Sequence, residues 1–216
     1  MEIQALEQLI KGRRSIRKWS KKTVPDDLVW KALELATWAP NGGNYQGWYF
    51  VVVKRQKTIE NIADAVQSVS DQIASWPEAA TWQDEVERYR QNVSFFRNAP
   101  VCIGVLASHY QSVTDKVLTA REPLDPDAQR IQSYRRFAPT AIQSAAAAVT
   151  TMLLAFHQMG LGAIWLAAPL MAKKDIETIL GTPSNLQLIC LVAAGYPDES
   201  PKKDRKPVKE VVRFIH

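Results

Sequence analysis

The sequence predicts a three-layer α/β/α sandwich, in which helices cover both faces of a central sheet of four or five strands. Four short apolar runs have the length and composition of buried strands, and helical segments with one apolar side alternate with them. These patterns leave the strand directions open. The 216 residues are 46% hydrophobic and 23% charged, which excludes collagen-like, disordered and low-complexity chains.

The first half of the chain opens with a short helix that we expect Gly12 to end through a positive φ. The strand WYFVVV is continuously apolar, so we expect both of its faces to be buried. In chain order the predictions are a helix at 5–11, a helix from Pro25 that stops at Pro40, a turn at 41–44, a strand at 48–53, a helix from 58 to about 67 and a helical region at 76–97.

The second half shows no linker and no internal repeat, so we expect residues 1–216 to form one domain. Residues 108–127 lack periodicity and predict a long loop of the kind that often serves as a lid. The alanine-rich helix at 138–159 is expected to be buried nearly all round. The other predictions are strands at 101–107, 163–167 and 186–195, a helix at 172–180 and a polar tail.

Cysteine and histidine use argues against a metal site, since Cys102 and Cys190 lie in apolar runs and the three histidines are far apart. Both cysteines are expected to be buried core thiols. The N-terminus lacks the apolar core of a secretory signal, and the most apolar run, 144–156, is too short to span a bilayer. We therefore expect a cytoplasmic protein without a membrane partner.

The positive charge is concentrated near the two ends of the chain. Residues 11–22 hold seven Lys or Arg and no acid, and residues 202–213 hold six basic and two acidic residues. The rest of the chain has 14 basic and 20 acidic residues. A nucleic-acid-binding protein would be expected to spread its charge over a larger face, so two compact clusters favour a smaller anion.

Motifs that would fix a chemistry directly are absent. There is no phosphate-binding P-loop and no nucleophile elbow, Trp165 stands where a dinucleotide fingerprint needs a glycine, and no catalytic triad can be assigned. The chemistry must therefore come from a cofactor. Arg13, Ser15 and Arg17 would lie on one side of an extended segment and form a donor set for phosphate; a solvated basic loop is the alternative.

Two further segments have both a functional and a plain interpretation. Lys203 and Arg205 lie in a basic tail, which most often serves only solubility. Gly42 and Gly43 are explained if the turn at 41–44 is only a tight connection. That interpretation does not account for the amide side chains of Asn44 and Gln46. Those two amides could match the mixed donor and acceptor edge of a planar heterocycle.

Five segments, taken together and in this order, resemble the nitroreductase family of flavin enzymes over about residues 10–214. The segments are RRSIR at 13–17, APNGGNYQGW at 39–48, GLGAIWLAAPL at 160–170, GYP at 195–197 and KKDRKP at 202–207. The resemblance implies an α+β, nitroreductase-like FMN-binding domain with a mixed, mostly antiparallel sheet. It also implies a homodimer that holds two FMN molecules at the subunit interface.

The resemblance assigns the cofactor-binding residues. The FMN phosphate and ribityl chain would be held by Arg13, Arg14, Ser15, Arg17, Lys203 and Arg205. The flavin would also contact residues of the partner subunit, namely Pro40, Asn41, Gly42, Asn44 and Gln46. The flavin ring would face the backbone of Leu166, Ala167 and Ala168. This chain departs from many relatives at Gly42 and Gly43, where serines are common, and at Gly47, where proline is common.

The implied activity is transfer of a hydride from NAD(P)H to FMN, followed by transfer of two electrons to a nitroaromatic, quinone or other conjugated electron-poor acceptor. No catalytic side chain is required, because the flavin carries the chemistry. The regions 76–96 and 108–127 would form the walls and lid of the pocket. Two alternatives stay open: a specialised flavin enzyme that uses oxygen or one dedicated metabolite, and a basic protein that binds a polyanion.

Overall fold

The structure, a computed structural model that describes residues 2–215, is built on a four-stranded antiparallel sheet. The strands are β1 (Trp48–Val53), β2 (Val101–Ser108), β3 (Gly162–Leu166) and β4 (Leu186–Gly195), and their spatial order is β1-β2-β4-β3. An isolated parallel bridge joins Ser15 to Ala163 of β3. The expected number of strands is therefore confirmed, and every strand pair of the described sheet is antiparallel.

Eight α-helices surround the sheet within residues 2–215. They are α1 (Ile3–Gly12), α2 (Asp26–Ala36), α3 (Gln56–Ala74), α4 (Gln83–Asn92), α5 (Val113–Arg121), α6 (Pro126–Phe137), α7 (Thr140–Gln158) and α8 (Lys173–Leu180). Short 3-10 turns occupy Pro77–Trp82 and Phe95–Asn98 on either side of α4, in the region predicted as helical.

Each face of the sheet has its own hydrophobic core, because successive side chains of a strand point to opposite faces. Val101 and Ile103 of β2 pack with α2 and α7 on one face, around Met152 and Phe156. Cys102 of β2 packs on the other face, in the core that α3 and α8 complete. The predicted three-layer α/β/α sandwich is therefore confirmed.

Strand β1 is less buried than its sequence predicts. Tyr49 is 53% exposed and Val52 is 38% exposed. Among the described residues β1 pairs only with β2, so it forms an edge of the sheet. The prediction that both faces of β1 are buried is wrong, and a groove of about 810 Å³ lies between β1 and α2.

The region predicted as a long loop, 108–127, is mostly helical from Val113 onward. Ser112 and Asp115 cap α5: the Ser112 Oγ accepts from the Asp115 N–H at 3.2 Å, and the Asp115 carboxylate accepts from the Ser112 N–H at 2.8 Å. The Asp125 carboxylate caps α6 by accepting from the Asp127 N–H at 2.9 Å, and the sequence predicts no helix there. The ion pair between Arg135 and Asp115 joins α5 to α6, so the prediction of a structureless loop is wrong.

Helix α7 is buried along one side rather than all round. Ala145, Val149 and Phe156 face the core, whereas Ile142 is 47% exposed. By length and composition, the stretch Pro126–Gln158 could cross a membrane, and 28% of its most apolar 18 residues are buried. The structure divides this stretch into α6 and α7, and α7 supplies the core of one sheet face. A core helix meets the same criterion of length and apolarity.

Gly12 is the last residue of α1 and does not end the helix with a positive φ. Arg13 follows in extended conformation instead. A Cβ on residue 12 would lie 3.0 Å from the Nε2 of His157, so Gly12 allows α1 to approach the end of α7 closely. Gly160 does adopt a positive φ, 76°, directly after α7, as a residue that ends a helix often does.

Candidate functional site

The two basic clusters, residues 11–22 and 202–213, are brought together by backbone pairing. The Ser20 N–H donates to the Tyr196 carbonyl at 2.9 Å, and the Asp198 N–H donates to the Lys18 carbonyl at 3.0 Å. The Glu199 carboxylate accepts from the backbone N–H of Lys18 at 3.2 Å. These hydrogen bonds join residues 18–20 to residues 196–199, directly before the tail. The tail, which carries the cluster 202–213, therefore starts beside the cluster 11–22.

Arg13 is the member of the first cluster that most clearly lacks a partner. Its Nη1 is buried and has no hydrogen-bond partner among residues 2–215. Its pKa is below the usual value, chiefly because burial disfavours the charged form and then because Arg205 and Arg14 repel it. Arg205 therefore lies within electrostatic range, and an anion placed between these guanidinium groups would relieve both costs.

Arg14 has a different environment. Its Nη1 donates to the carbonyl of Lys11 and, at 2.9 Å, to the carbonyl of Arg13. These carbonyls lie at the C-terminal end of α1, where helix carbonyls lack intrahelical partners. The guanidinium of Arg14 is thus engaged with the helix end, which leaves its backbone as the part available to a ligand.

The remaining predicted phosphate ligands are at or near the surface. Ser15 is half-buried beside Ala163 of β3. Arg17 is exposed, and its guanidinium lies 5.9 Å from the centre of the Phe95 ring. Lys203 is exposed in the tail. The structure thus associates Arg13 with Arg205, and the roles assigned to Ser15, Arg17 and Lys203 stay predictions.

The end of β3 presents backbone to solvent. Leu166 is buried, and Ala167 and Ala168, which follow it, are exposed. Ser15 pairs with Ala163 of β3. Ala167 and Ala168 lie a few residues after Ala163 in the chain, and a strand rises about 3.3 Å per residue, so these alanines are close to Ser15. Their small side chains leave the backbone open to a planar ligand.

The turn from Asn41 to Gln46 is held in an unusual backbone conformation. Gly43, Asn44 and Gln46 have φ values of 60°, 53° and 52°. Asparagine tolerates this left-handed region, but for Gln46 it costs about 1–3 kcal/mol. The Asn41 Oδ1 stabilises the turn by accepting from the Gln46 N–H at 2.9 Å. Pro40, which precedes the turn, is exposed, as are the side chains of Asn44 and Gln46.

Residues that the sequence did not single out support this turn from behind. The Ser144 Oγ of α7 accepts from the Gly42 N–H at 3.2 Å, and the rings of Tyr45 and Tyr110 lie 5.1 Å apart. A Cβ on residue 42 would lie 2.2 Å from the Cγ2 of Thr140. The local sequence contains no signal for these contacts, because the partners lie far along the chain. The contact with Thr140 explains why residue 42 has no side chain.

The turn and the Arg13 cluster lie at opposite ends of α7. The turn contacts Ser144, and the cluster lies beside His157, whose pKa is lowered by burial and then by Arg13 and Arg14. Thirteen residues at ~1.5 Å per residue separate these positions by ~20 Å along the helix axis. A phosphate held by Arg13 is therefore far from the turn of its own chain.

The described part of the chain offers neither a metal site nor a reactive thiol. Residues 2–215 contain no group of three metal-ligating side chains. Cys102 and Cys190 are buried, and burial raises the pKa of each thiol to about 12. The prediction of buried core cysteines is confirmed, and thiols with such pKa values are not nucleophiles near neutral pH.

The model of the Nitroreductase family matches residues 10–196. The chain belongs to this family. Residues outside the match include the basic tail, so the family model says nothing of Lys203 and Arg205. The resemblance carried by the five segments is therefore confirmed over most of its length.

Similar proteins point to more than one use of this fold. A BluB-like flavoprotein from Clostridium difficile 630 has a TM-score of 0.84 and 29% identity, over 100% of both chains. An iodotyrosine deiodinase bound to FMN and 3-iodo-L-tyrosine has a TM-score of 0.73 and 26% identity, over 98% of this chain and 99% of that one. An iodotyrosine dehalogenase 1 homolog from Caenorhabditis elegans is 28% identical over 213 residues; the match covers 95% of this chain and 59% of that protein.

Proposed function

We propose that this protein is an FMN-dependent oxidoreductase that passes electrons from NAD(P)H to nitroaromatic, quinone or other conjugated electron-poor acceptors. The observation that carries the proposal is the buried, unpartnered Nη1 of Arg13 beside Arg205. Two guanidinium groups that form no salt bridge among residues 2–215 offer a binding site for a small dianion, and a phosphate monoester has the matching charge and acceptors. FMN carries such a group, and a solved relative contains FMN.

The donor set fits FMN along its length. Arg13 and Arg205 would bind the phosphate, with Ser15, Arg17 and Lys203 beside them, and the exposed backbone at Ala167 and Ala168 would face the ring. When bound, FMN supplies a two-electron carrier that accepts hydride and passes electrons on. The protein itself would position NAD(P)H and the acceptor against the flavin and exclude water. Neither task needs a side-chain nucleophile.

We also propose that the working unit is a homodimer in which the turn of one chain contacts the flavin held by the other. The ~20 Å between Ser144 and His157 supports this arrangement, because the turn is distant from the Arg13 cluster of its own chain. The exposed side chains of Trp30 (72%) and Trp38 (83%) on and after α2 support it as well, since monomers rarely expose such apolar surface.

The test is the flavin content of the purified protein and its dependence on arginine. We expect absorbance near 450 nm, and NAD(P)H oxidation that speeds up when a nitro compound or quinone is added. Arg13→Ala and Arg205→Ala should each weaken FMN binding at least tenfold, since each removes a charge-assisted hydrogen bond to phosphate. Lys21→Ala and Lys22→Ala are matched controls in the same cluster and should have little effect. A protein that gains no flavin spectrum with added FMN would contradict the proposal.

A second candidate, reductive dehalogenation of a halogenated phenol, is favoured by the similarity to the iodotyrosine deiodinase and to the nematode dehalogenase homolog. Two electrons and a proton would replace the carbon–iodine bond by a carbon–hydrogen bond and release iodide. Incubation of the FMN-loaded, reduced protein with 3-iodo-L-tyrosine should then yield tyrosine and iodide in equal amounts. Absence of iodide, with nitro compounds still reduced, would leave only the first candidate.

A further inference from the structure

A cavity of about 310 Å³ lies between α5, α6 and the start of α7. Its lining shares Tyr110, Thr140 and Ala141 with the small pocket behind the turn at Asn41–Gln46. The cavity therefore borders the turn that, in the proposed function, contacts the flavin. Its volume lies at the lower end of the range for small-molecule sites.

Gln132 of α6 has an unsatisfied hydrogen-bonding group in this lining. Its side chain is nine-tenths buried, with 9% of the residue exposed. Its Nε2 donates to the Thr119 hydroxyl at 3.4 Å, but its Oε1 has no partner among residues 2–215. A buried amide oxygen without a partner is costly, so a ligand that donates a hydrogen bond to this atom would be stabilised in the cavity.

Arg135 lies one helical turn after Gln132 and also lines the cavity. Its Nε donates to the Asp115 carboxylate at 2.6 Å, and its two terminal nitrogens have no hydrogen-bond partner in the described chain. Asp115 is itself fixed by the backbone N–H and hydroxyl of Ser112, at 2.8 and 2.7 Å. The guanidinium is therefore held in place while two of its nitrogens stay available to an anion.

Arg136, the neighbouring arginine, is occupied differently. Both of its terminal nitrogens donate to the Glu122 carboxylate, each at 2.6 Å. This fork between α6 and the residue after α5 fixes the two helices relative to each other. Of the two arginines in the lining, Arg135 is thus the one with donors left for a ligand.

We propose that this cavity binds the polar end of the electron acceptor, and that the acceptor is a small planar carboxylic acid that carries a hydroxyl group. The carboxylate binds the terminal nitrogens of Arg135, and the hydroxyl binds the Gln132 amide. A hydroxyl both donates and accepts, so it satisfies this amide in either orientation. The inference rests on the proposed function, because it places the cavity beside a flavin.

Calorimetric titration of the FMN-loaded protein with benzoate, benzamide and 3- and 4-hydroxybenzoate tests the binding directly. Benzoate should bind at least tenfold more tightly than benzamide, and the better hydroxybenzoate about fivefold more tightly than benzoate. Arg135→Gln should abolish the first difference, and Gln132→Met only the second. Arg130→Gln is the control, since Arg130 lies on α6, pairs with Asp127 and does not line the cavity. Equal affinities for all four compounds in the unchanged protein would overturn the inference.

Asp115→Asn separates binding from a structural role of the Arg135–Asp115 pair. If Arg135 binds the carboxylate, removing the competing negative charge should keep or raise the affinity for benzoate. If the pair only holds α5 to α6, Asp115→Asn and Arg135→Gln should lose affinity equally, and the inference would be wrong. Thermal unfolding of both variants checks that the helices stay folded.

Steady-state kinetics distinguishes failure of this inference from failure of the proposed function. With FMN and NAD(P)H, kcat/KM for 3-nitrobenzoate should exceed that for nitrobenzene at least tenfold, and Arg135→Gln should remove the difference. A flavin-containing protein that reduces both compounds with equal kcat/KM would overturn only the cavity assignment. A protein that binds no FMN would overturn the proposed function first.

Discussion

At the scale of single residues, several site positions are determined by neighbours that are distant in sequence. Gly42 follows a helix end and precedes a strand, which explains a turn but not the absence of a side chain. The structure supplies the reason, because the Cγ2 of Thr140 occupies the position that a Cβ would take, at 2.2 Å. Gly42 is therefore required by packing against α7.

Replacing Gly42 by alanine should destabilise the protein by about 1–3 kcal/mol, the range for overpacking a filled site. Since the clash involves Cγ2, Thr140→Ser should remove it, and the double variant should recover most of the loss. Urea unfolding of the two single variants and the double variant measures the coupling between the positions. Additive losses in the double variant would show that Thr140 is not the residue that excludes the side chain.

The arginines that we propose bind the phosphate could be named from the sequence, but only the family resemblance, and no local pattern, implied that the two basic clusters meet. Arg13 and Arg205 stand out as members of two basic clusters. The contact between the clusters depends on backbone hydrogen bonds from Ser20 to Tyr196 and from Asp198 to Lys18, and backbone pairing leaves no side-chain pattern. Gln132 and Arg135 were missed for a related reason, since what distinguishes them is an atom with no partner in the folded chain.

At the scale of elements, sequence patterns predict the bounds of strands well and marginal helices poorly. The predicted bounds of β1 and β4 match the structure, because each is a largely apolar run bounded by turn residues. Helix α5 has no buried residue, so its pattern carries no apolar stripe. Its stability comes from the Ser112 cap and from the ion pair between Asp115 and Arg135, which only the folded structure shows.

This cap predicts a pH dependence of stability. Hydrogen bonds from Arg135 and then Ser112 hold the pKa of Asp115 well below its usual range. Because the folded pKa is depressed, the stabilisation is present above the unfolded value of about 3.9 and is lost as pH falls toward the folded pKa. Asp115→Asn should cost about 2 kcal/mol near neutral pH, and this cost should shrink below about pH 4. Urea unfolding at pH 7 and pH 3 measures the change.

Asp127→Asn is the matched control for this prediction. Asp127 also pairs with an arginine of α6, but its side chain is 78% exposed. An exposed pair of this kind contributes less than about 1 kcal/mol. A cost for Asp115→Asn that stays the same at both pH values would show that the ionised carboxylate is not what stabilises the α5–α6 pair.

At the scale of the whole molecule, the single chain leaves an apolar face uncovered. Strand β1 has an open edge among the described residues, and the groove of about 810 Å³ beside it is lined by Trp30 and Phe50. Open edges and large apolar patches promote association in solution. Together with the separation between the turn and Arg13, they favour an assembly of two chains in which each site is shared.

Light scattering during size-exclusion chromatography should therefore give a mass about twice that of one chain.

Mixed assemblies of two variant chains test whether each site is built from both chains. The two variants to be mixed are Arg13→Ala and the double variant Asn44→Ala with Gln46→Ala. A dimer in which both chains carry the same variant should bind no FMN. In a mixed dimer with shared sites, one site has both its arginine and its turn intact, so co-expression should restore one FMN per dimer. If each chain builds its own site, every site in the mixed dimer is damaged and no FMN should bind.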